Sequence, residues 1–279
     1  MSDRRAFFNR LVTCLRARLG RVLAAVLLAC VGFPVAAQDD VAVTWERAQV
    51  ALPRLAPELR PVIGLLQEAD VQRALAEIPA GARFPVVLYM HGCSGMDVEE
   101  ESAKLFLMES GYPVFMPDSF ARRGRQSNCA LVRRTTGGAS GAPFLRLAEI
   151  RYALDELARL PFVDRVFLVG YSEGGLAVAN VEQSPVPLAG IVVMSWHCQG
   201  HEEFSGIKAP LDVPVLALIG DNDRWYAARQ GRHCGEVFGD RAASRSIVLP
   251  GNDHAVFTAP SLANVERARG AILAFLKAH

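Results

Sequence analysis

A serine set between glycines opens the chemical reading of this chain. Gly170-Tyr171-Ser172-Glu173-Gly174-Gly175 follows the apolar run Val166-Phe167-Leu168-Val169 and precedes a helical pattern. Glycine and serine are common, so G-x-S-x-G by itself says little. Between a buried strand and a helix it has the context that a nucleophile elbow requires. The sharp turn strains the serine backbone and tolerates only small flanking residues, hence Gly170 and Gly174. Ser172 would then project its hydroxyl above a sheet, at the positive end of a helix.

An alcohol is a poor nucleophile at its own pKa and needs an adjacent base, itself held by an acid. The base should come last in chain order, on a loop after the final strand. His254, in Pro250-Gly251-Asn252-Asp253-His254, meets both demands. His91 precedes the serine, His279 is terminal, and His197, His201 and His233 precede or crowd the acid. The acid should follow the strand between elbow and histidine, where Gly220-Asp221-Asn222-Asp223 offers two aspartates. Asp223 is the choice, because the third residue after Gly220 reaches back towards the histidine. Asp221 is the alternative, or else a cap for the next helix. Two donors must face the developing oxyanion. They are expected to be the backbone N–H of Glu173, after the nucleophile, and that of Cys93, in the loop His91-Gly92-Cys93 after the first strand. Such chemistry requires no metal and no organic cofactor.

The elements that must position these residues alternate from residue 84 onward. Strands are expected at 84–90, 113–116, 165–170, 188–195, 213–220 and 246–250, and helices at 98–110, 145–160, 174–181 and from about 260 to the end. Continuous Val/Ile/Leu strands between helices indicate an α/β fold, a mostly parallel sheet with helices on both faces. Ligands of such sheets gather at the carboxyl ends of the strands, and every motif above sits at one. Before residue 80 the pattern is less legible; 61–76 reads as helix. Some 25 residues separate the strand at 113–116 from the helix near 145, and loops of that length are commonly lids, binding loops or disordered.

The chain of 279 residues begins with Arg4, Arg5, Arg10, Arg16, Arg18 and Arg21, then an apolar run from Val22 to Val35, then small residues ending at Ala37. This is the order of a secretory signal peptide over 1–37, and the run is shorter than the ~20 residues that span a bilayer. Asp3-Arg4-Arg5-Ala6-Phe7-Phe8 resembles a twin-arginine motif, and Leu27-Leu28-Ala29-Cys30 a lipoprotein box that would put a lipid anchor on Cys30. All three routes place the remaining domain, 38–279, in the periplasm or outside the cell. That domain carries 24 basic and 28 acidic residues, a formal charge of −4, without the basic face that nucleic acid calls for. Its four cysteines, Cys93, Cys129, Cys198 and Cys234, allow three disulfide pairings in an oxidising compartment. The clusters His197-Cys198, His201 and His233-Cys234 fit no standard zinc spacing.

The stretches Leu88-Tyr89-Met90-His91-Gly92-Cys93, Pro117-Asp118-Ser119-Phe120, Gly170–Gly175, Gly220–Asp223 and Asp253-His254 together resemble the dienelactone hydrolase-like branch of the α/β hydrolases. The resemblance covers about residues 80–279 and implies an eight-stranded hydrolase sheet with little or no cap. It departs at Ser172, where dienelactone hydrolases proper carry cysteine, so a general carboxylic ester is the expected small-molecule substrate. In the sheet it implies, the strands before Cys93 and Cys129 are neighbours, as are those before Cys198 and Cys234, which pairs Cys93–Cys129 and Cys198–Cys234. Arg122, Arg123 and Arg125, with Arg133 and Arg134, decorate the long loop. They would recognise an anionic substrate or simply be solvated, and Trp225 would line the pocket or pack. Two rival readings remain: an inactive hydrolase-fold binding protein of the cell envelope, and a secreted serine peptidase.

Overall fold

The computed structural model describes residues 35–127, 129, 141–199, 202–225, 232–241 and 243–279. The leader features up to Cys30, the loop arginines Arg133 and Arg134, and His201 lie outside the described residues. Residues 40–279 form one compact unit. In chain order the elements are α1 (Val35–Glu46), β1 (Gln49–Leu52), β2 (Val62–Leu65), α2 (Ala69–Ala76), β3 (Phe84–Met90), α3 (Val98–Glu109) and β4 (Val114–Met116). They continue with α4 (Ala142–Arg159), β5 (Val163–Tyr171), α5 (Glu173–Ala179), β6 (Leu188–Met194), β7 (Val215–Gly220), β8 (Arg245–Leu249) and α6 (Leu262–Ala278).

Eight strands form one sheet in the order β2-β1-β4-β3-β5-β6-β7-β8. β1 runs antiparallel to both of its neighbours, β2 and β4, and the pairs from β4 to β8 are parallel. The unbroken apolar runs of the central strands follow from burial on both faces. Val86, Leu88 and Met90 of β3 join Leu168 of β5 and Leu154, Leu157 and Val178 of α4 and α5 on one face. Val87 and Tyr89 join Phe167 and Val169 on the other, under Ala103 and Leu107 of α3 and Ala268, Ile272 and Phe275 of α6. Sidedness alternates with residue number because strand side chains point to opposite faces in turn.

The expectation of one helix over 61–76 is corrected. The segment divides into β2 and the shorter α2, because Val62–Leu65 pairs with β1 from Gln49↔Leu65 to Leu52↔Val62. A four-residue apolar run offers strand and helix alike, and only that pairing decides between them.

The chain steps from β3 outward to β4 and then returns across β3 to β5. That reversal opens a crevice at the carboxyl ends of β3 and β5, where ligands of open α/β sheets bind. The register keeps those ends level, with Met90 opposite Gly170, Tyr171 opposite Met194, and Gly220 opposite Leu249.

Candidate active site

β5 ends in the elbow. Ser172 has φ 54° and ψ −112°, a conformation that L residues rarely adopt, and α5 begins at the next residue. The turn is held by Ser172 N–H donating to the Met194 carbonyl at 2.8 Å and Leu176 N–H to the Ser172 carbonyl at 3.0 Å. Backbone crowding explains the two flanking glycines. A Cβ on Gly170 would lie 2.2 Å from the Gly174 carbonyl oxygen, and one on Gly174 would lie 1.9 Å from that of Met90. The second approach also presses the elbow against the 91–93 loop.

His254, on the loop after β8, stands between Ser172 and Asp223. Its Nε2 lies 2.9 Å from Ser172 Oγ and its Nδ1 2.7 Å from Asp223 Oδ2. A carboxylate only accepts, so Nδ1 carries the hydrogen and Nε2 is left to accept from the serine hydroxyl. All three residues are buried. Asp223 Oδ1 accepts the Trp225 N–H at 2.9 Å, which fixes the carboxylate plane. Asp221 is used differently: its Oδ1 accepts the Gly251 N–H at 2.9 Å and ties the β7 turn to the β8 turn. The Ser195 hydroxyl donates to the His254 carbonyl. The Tyr171 and Trp225 rings lie 5.3 and 5.4 Å from the imidazole. Chemically, this run of bonds draws the hydroxyl proton towards an imidazole whose cation a carboxylate would support.

The 91–93 loop is held from below. His91 is fully buried. Its Nδ1–H donates to the Gly92 carbonyl at 2.7 Å, while Nε2 accepts from Ser119 N–H and from Arg146, both at 3.1 Å. Burial first, then the Arg146 guanidinium, holds this imidazole well below the usual histidine range, so it is neutral. Arg146 also donates to the His91 carbonyl at 2.7 Å and to Glu149 at 2.9 Å. The Glu173 side chain pairs with Arg125 and lies 3.7 Å from Arg146. Cys93 follows β3 and Glu173 opens α5, so both stand beyond the carboxyl ends of two paired strands. The structure also holds both disulfides, Cys93–Cys129 and Cys198–Cys234.

Two of the loop arginines, Arg122 and Arg125, are turned onto carboxylates of the protein itself. Arg122 is buried, 3.1 Å from Asp40 and 3.5 Å from Glu149. Arg125 is turned inward on Glu173 and the Phe120 ring. Arg123 is exposed, and Asp40 accepts its backbone N–H at 3.0 Å. Buried charges must be paired, and here Arg122, Arg125 and Arg146 meet Asp40, Glu149 and Glu173. Arg146 and Glu149 were not singled out in the sequence. Their only signal there is charge within the stripe that α4 buries, Ala142, Arg146, Glu149, Ile150 and Ala153. Among the described residues no group of three or more His, Cys, Asp and Glu could hold a metal ion, and no helix is long and apolar enough to cross a membrane.

The sheet and the helices that cover it are those of the α/β-hydrolase fold. Within it the chain belongs to the dienelactone hydrolase family, whose model matches residues 72–278. A putative dienelactone hydrolase from Klebsiella pneumoniae subsp. pneumoniae MGH 78578 superposes with a TM-score of 0.55 at 18% identity, over 72% of this chain and 90% of that one. Est1E from Butyrivibrio proteoclasticus with ferulic acid bound gives 0.52 at 16%, over 82% and 95%. The dienelactone hydrolase-like promiscuous phosphotriesterase P91, from metagenomic libraries, gives 0.53 at 18%, over 71% and 87%. No curated protein sequence matches the chain.

Proposed function

We propose that the protein is an exported serine hydrolase of carboxylic esters, with Ser172 as nucleophile, His254 as general base and Asp223 as its orienting acid. The observation that carries the reading is His254 spanning Ser172 at 2.9 Å and Asp223 at 2.7 Å at the mouth of the elbow. Ser172 Oγ attacks the ester carbonyl while its proton passes to His254 Nε2, and Asp223 supports the imidazolium. The backbone N–H groups of Glu173 and Cys93 receive the oxyanion. Collapse expels the alcohol, which takes the proton from His254. Water then repeats the sequence on the acyl-enzyme, releasing the acid and restoring Ser172. Trp225, beside His254, lines the substrate's approach. The family's esterase relatives agree with this class of substrate, although this chain carries serine at the nucleophile position. Export to the periplasm or beyond is supported by the leader over 1–37 and by two disulfides, which persist in oxidising compartments.

The test is a fluorophosphonate probe together with p-nitrophenyl esters of graded chain length on the disulfide-intact mature protein. Ser172 is labelled and the esters are cleaved, and Ser172→Ala loses both. Undiminished labelling of the alanine variant would overturn the assignment.

A further inference from the structure

Glu99 and Glu100 stand side by side on the first turn of α3. Acidic residues are common there because they offset the exposed N–H groups of a helix start, but they ordinarily face water. These two are 3% and 1% exposed, and they reach in different directions. Glu99 Oε1 accepts the N–H groups of Val256 and Phe257 at 2.7 and 2.8 Å; Oε2 accepts the N–H and the hydroxyl of Thr258, both at 2.8 Å. Those residues begin two positions after His254, more than 150 positions along the chain. Glu100 Oε1 accepts the N–H of Gly92 at 2.9 Å, one residue before Cys93, and Oε2 that of Asp97 at 3.2 Å.

A carboxylate has about four acceptor sites, and Glu99 uses four, leaving none for a ligand. Its role is therefore exercised through the loop it holds. The helix behind the pair is firmly seated: Asp97 and Glu100 form a capping box, and Ala103 and Leu107 are packed under the sheet. One rigid turn thus grips the loop of the base with one side chain and the oxyanion loop with the next.

We propose that Glu99 and Glu100 are a pair of positioning residues that set the register between His254 and the oxyanion donor at Cys93. The proposal rests on the serine-hydrolase reading above. It explains why two acidic side chains are buried where neither touches substrate. Reacting groups must be held to a fraction of an ångström, since a displacement of about 1 Å costs roughly 10²-fold in rate.

The experiment measures kcat and KM for a p-nitrophenyl ester on disulfide-intact variants whose folding is verified by circular dichroism. In Glu99→Gln a carboxamide replaces one acceptor oxygen with N–H₂ facing the Thr258 N–H, which displaces the loop. A fall in kcat of about 10²-fold is expected, with KM held within about threefold. Glu100→Ala should lose a similar factor. Glu100→Gln, which keeps an acceptor for Gly92, should recover most of it. Glu101→Gln, on the same turn but exposed and paired only with Lys104, should retain the wild-type rate. The arms separate in a His254→Ala background, where only the oxyanion hole and binding remain. There Glu99→Gln adds no further loss and Glu100→Ala adds its full factor. Should Glu99→Gln fail to fold, Glu99→Asp, which keeps both oxygens but shortens the reach, is expected to lose part of the rate. The proposal is overturned by a folded Glu99→Gln or Glu99→Asp variant with wild-type kcat, or by a Glu99 variant that loses as much in the His254→Ala background as it does with His254 present. If Ser172→Ala is inactive, such a result removes this inference alone; an active Ser172→Ala removes the reading beneath it.

Discussion

Glu100 carries a stability that depends on pH. Its carboxyl is enclosed beside Asp97, and burial first, then the bond shared with Asp97, pushes its pKa from 4.5 up to about 8. Asp97 is held below its usual range: burial opposes its charge, but Glu100, the Glu99 N–H and Ser94 outweigh it. The shared proton therefore resides on Glu100 at neutral pH. A carboxyl that binds its proton more tightly when folded stabilises fully below its unfolded pKa, and that stability is lost as pH rises through the folded value. At 1.36 kcal/mol per unit, the shift amounts to roughly 5 kcal/mol, about 4 of it between pH 5 and pH 9. Asp97 is ionised in both states across that window and adds almost nothing to the slope. His91, held neutral, lowers stability on the acid side, but identically in a Glu100 variant. Glu100→Gln cannot ionise, yet it offers Asp97 a donor and Gly92 an acceptor. Urea unfolding of both proteins at intervals from pH 5 to pH 9 should give a difference curve that closes on the acid side. On the alkaline side it should favour Glu100→Gln by a few kcal/mol. Parallel curves for the two proteins would refute the assignment of the buried proton.

Two further outcomes separate roles that the structure distinguishes. Asp223→Asn should lower kcat by about 10⁴, the cost when a triad imidazole loses its tautomer and counter-charge. Asp221→Asn, which disturbs only the bond to Gly251, should cost far less; the reverse order in steady-state assays would make Asp221 the acid. Each disulfide closes a separation of 36 residues, so chain entropy gives each about 3–4 kcal/mol. Cys93→Ser/Cys129→Ser and Cys198→Ser/Cys234→Ser should thus lower the urea midpoint alike, but only the first pair should also lower kcat, because Cys93 lies in the loop proposed to receive the oxyanion.

The sequence by itself was enough for the alternation of strands and helices from Phe84 to the C-terminus. Buried parallel strands are continuous apolar runs, and their helices repeat at 3.6. It was also enough to place Ser172 at an elbow and His254 after the last strand, because a strand, two glycines and chain order are local signals. Two aspartates two positions apart were not separable in this way. Only the fold gives Asp221 to Gly251 and leaves Asp223 to His254. The helix expected over 61–76 failed for a related reason, since the partner of Val62–Leu65 is β1, which no local window contains. The partners of Arg122 and Arg125 were not legible, because charge in a loop reads as solvated or ligand-directed. The structure instead turns Arg122 and Arg125 inward onto Asp40, Glu149 and Glu173, far apart in sequence. Arg146, Glu99 and Glu100 were invisible as site residues because ordinary helix rules already accounted for them. Burial opposite named partners is a tertiary fact: a carboxylate becomes a clamp only when the chain returns, more than 150 residues later, with three N–H groups to bind it.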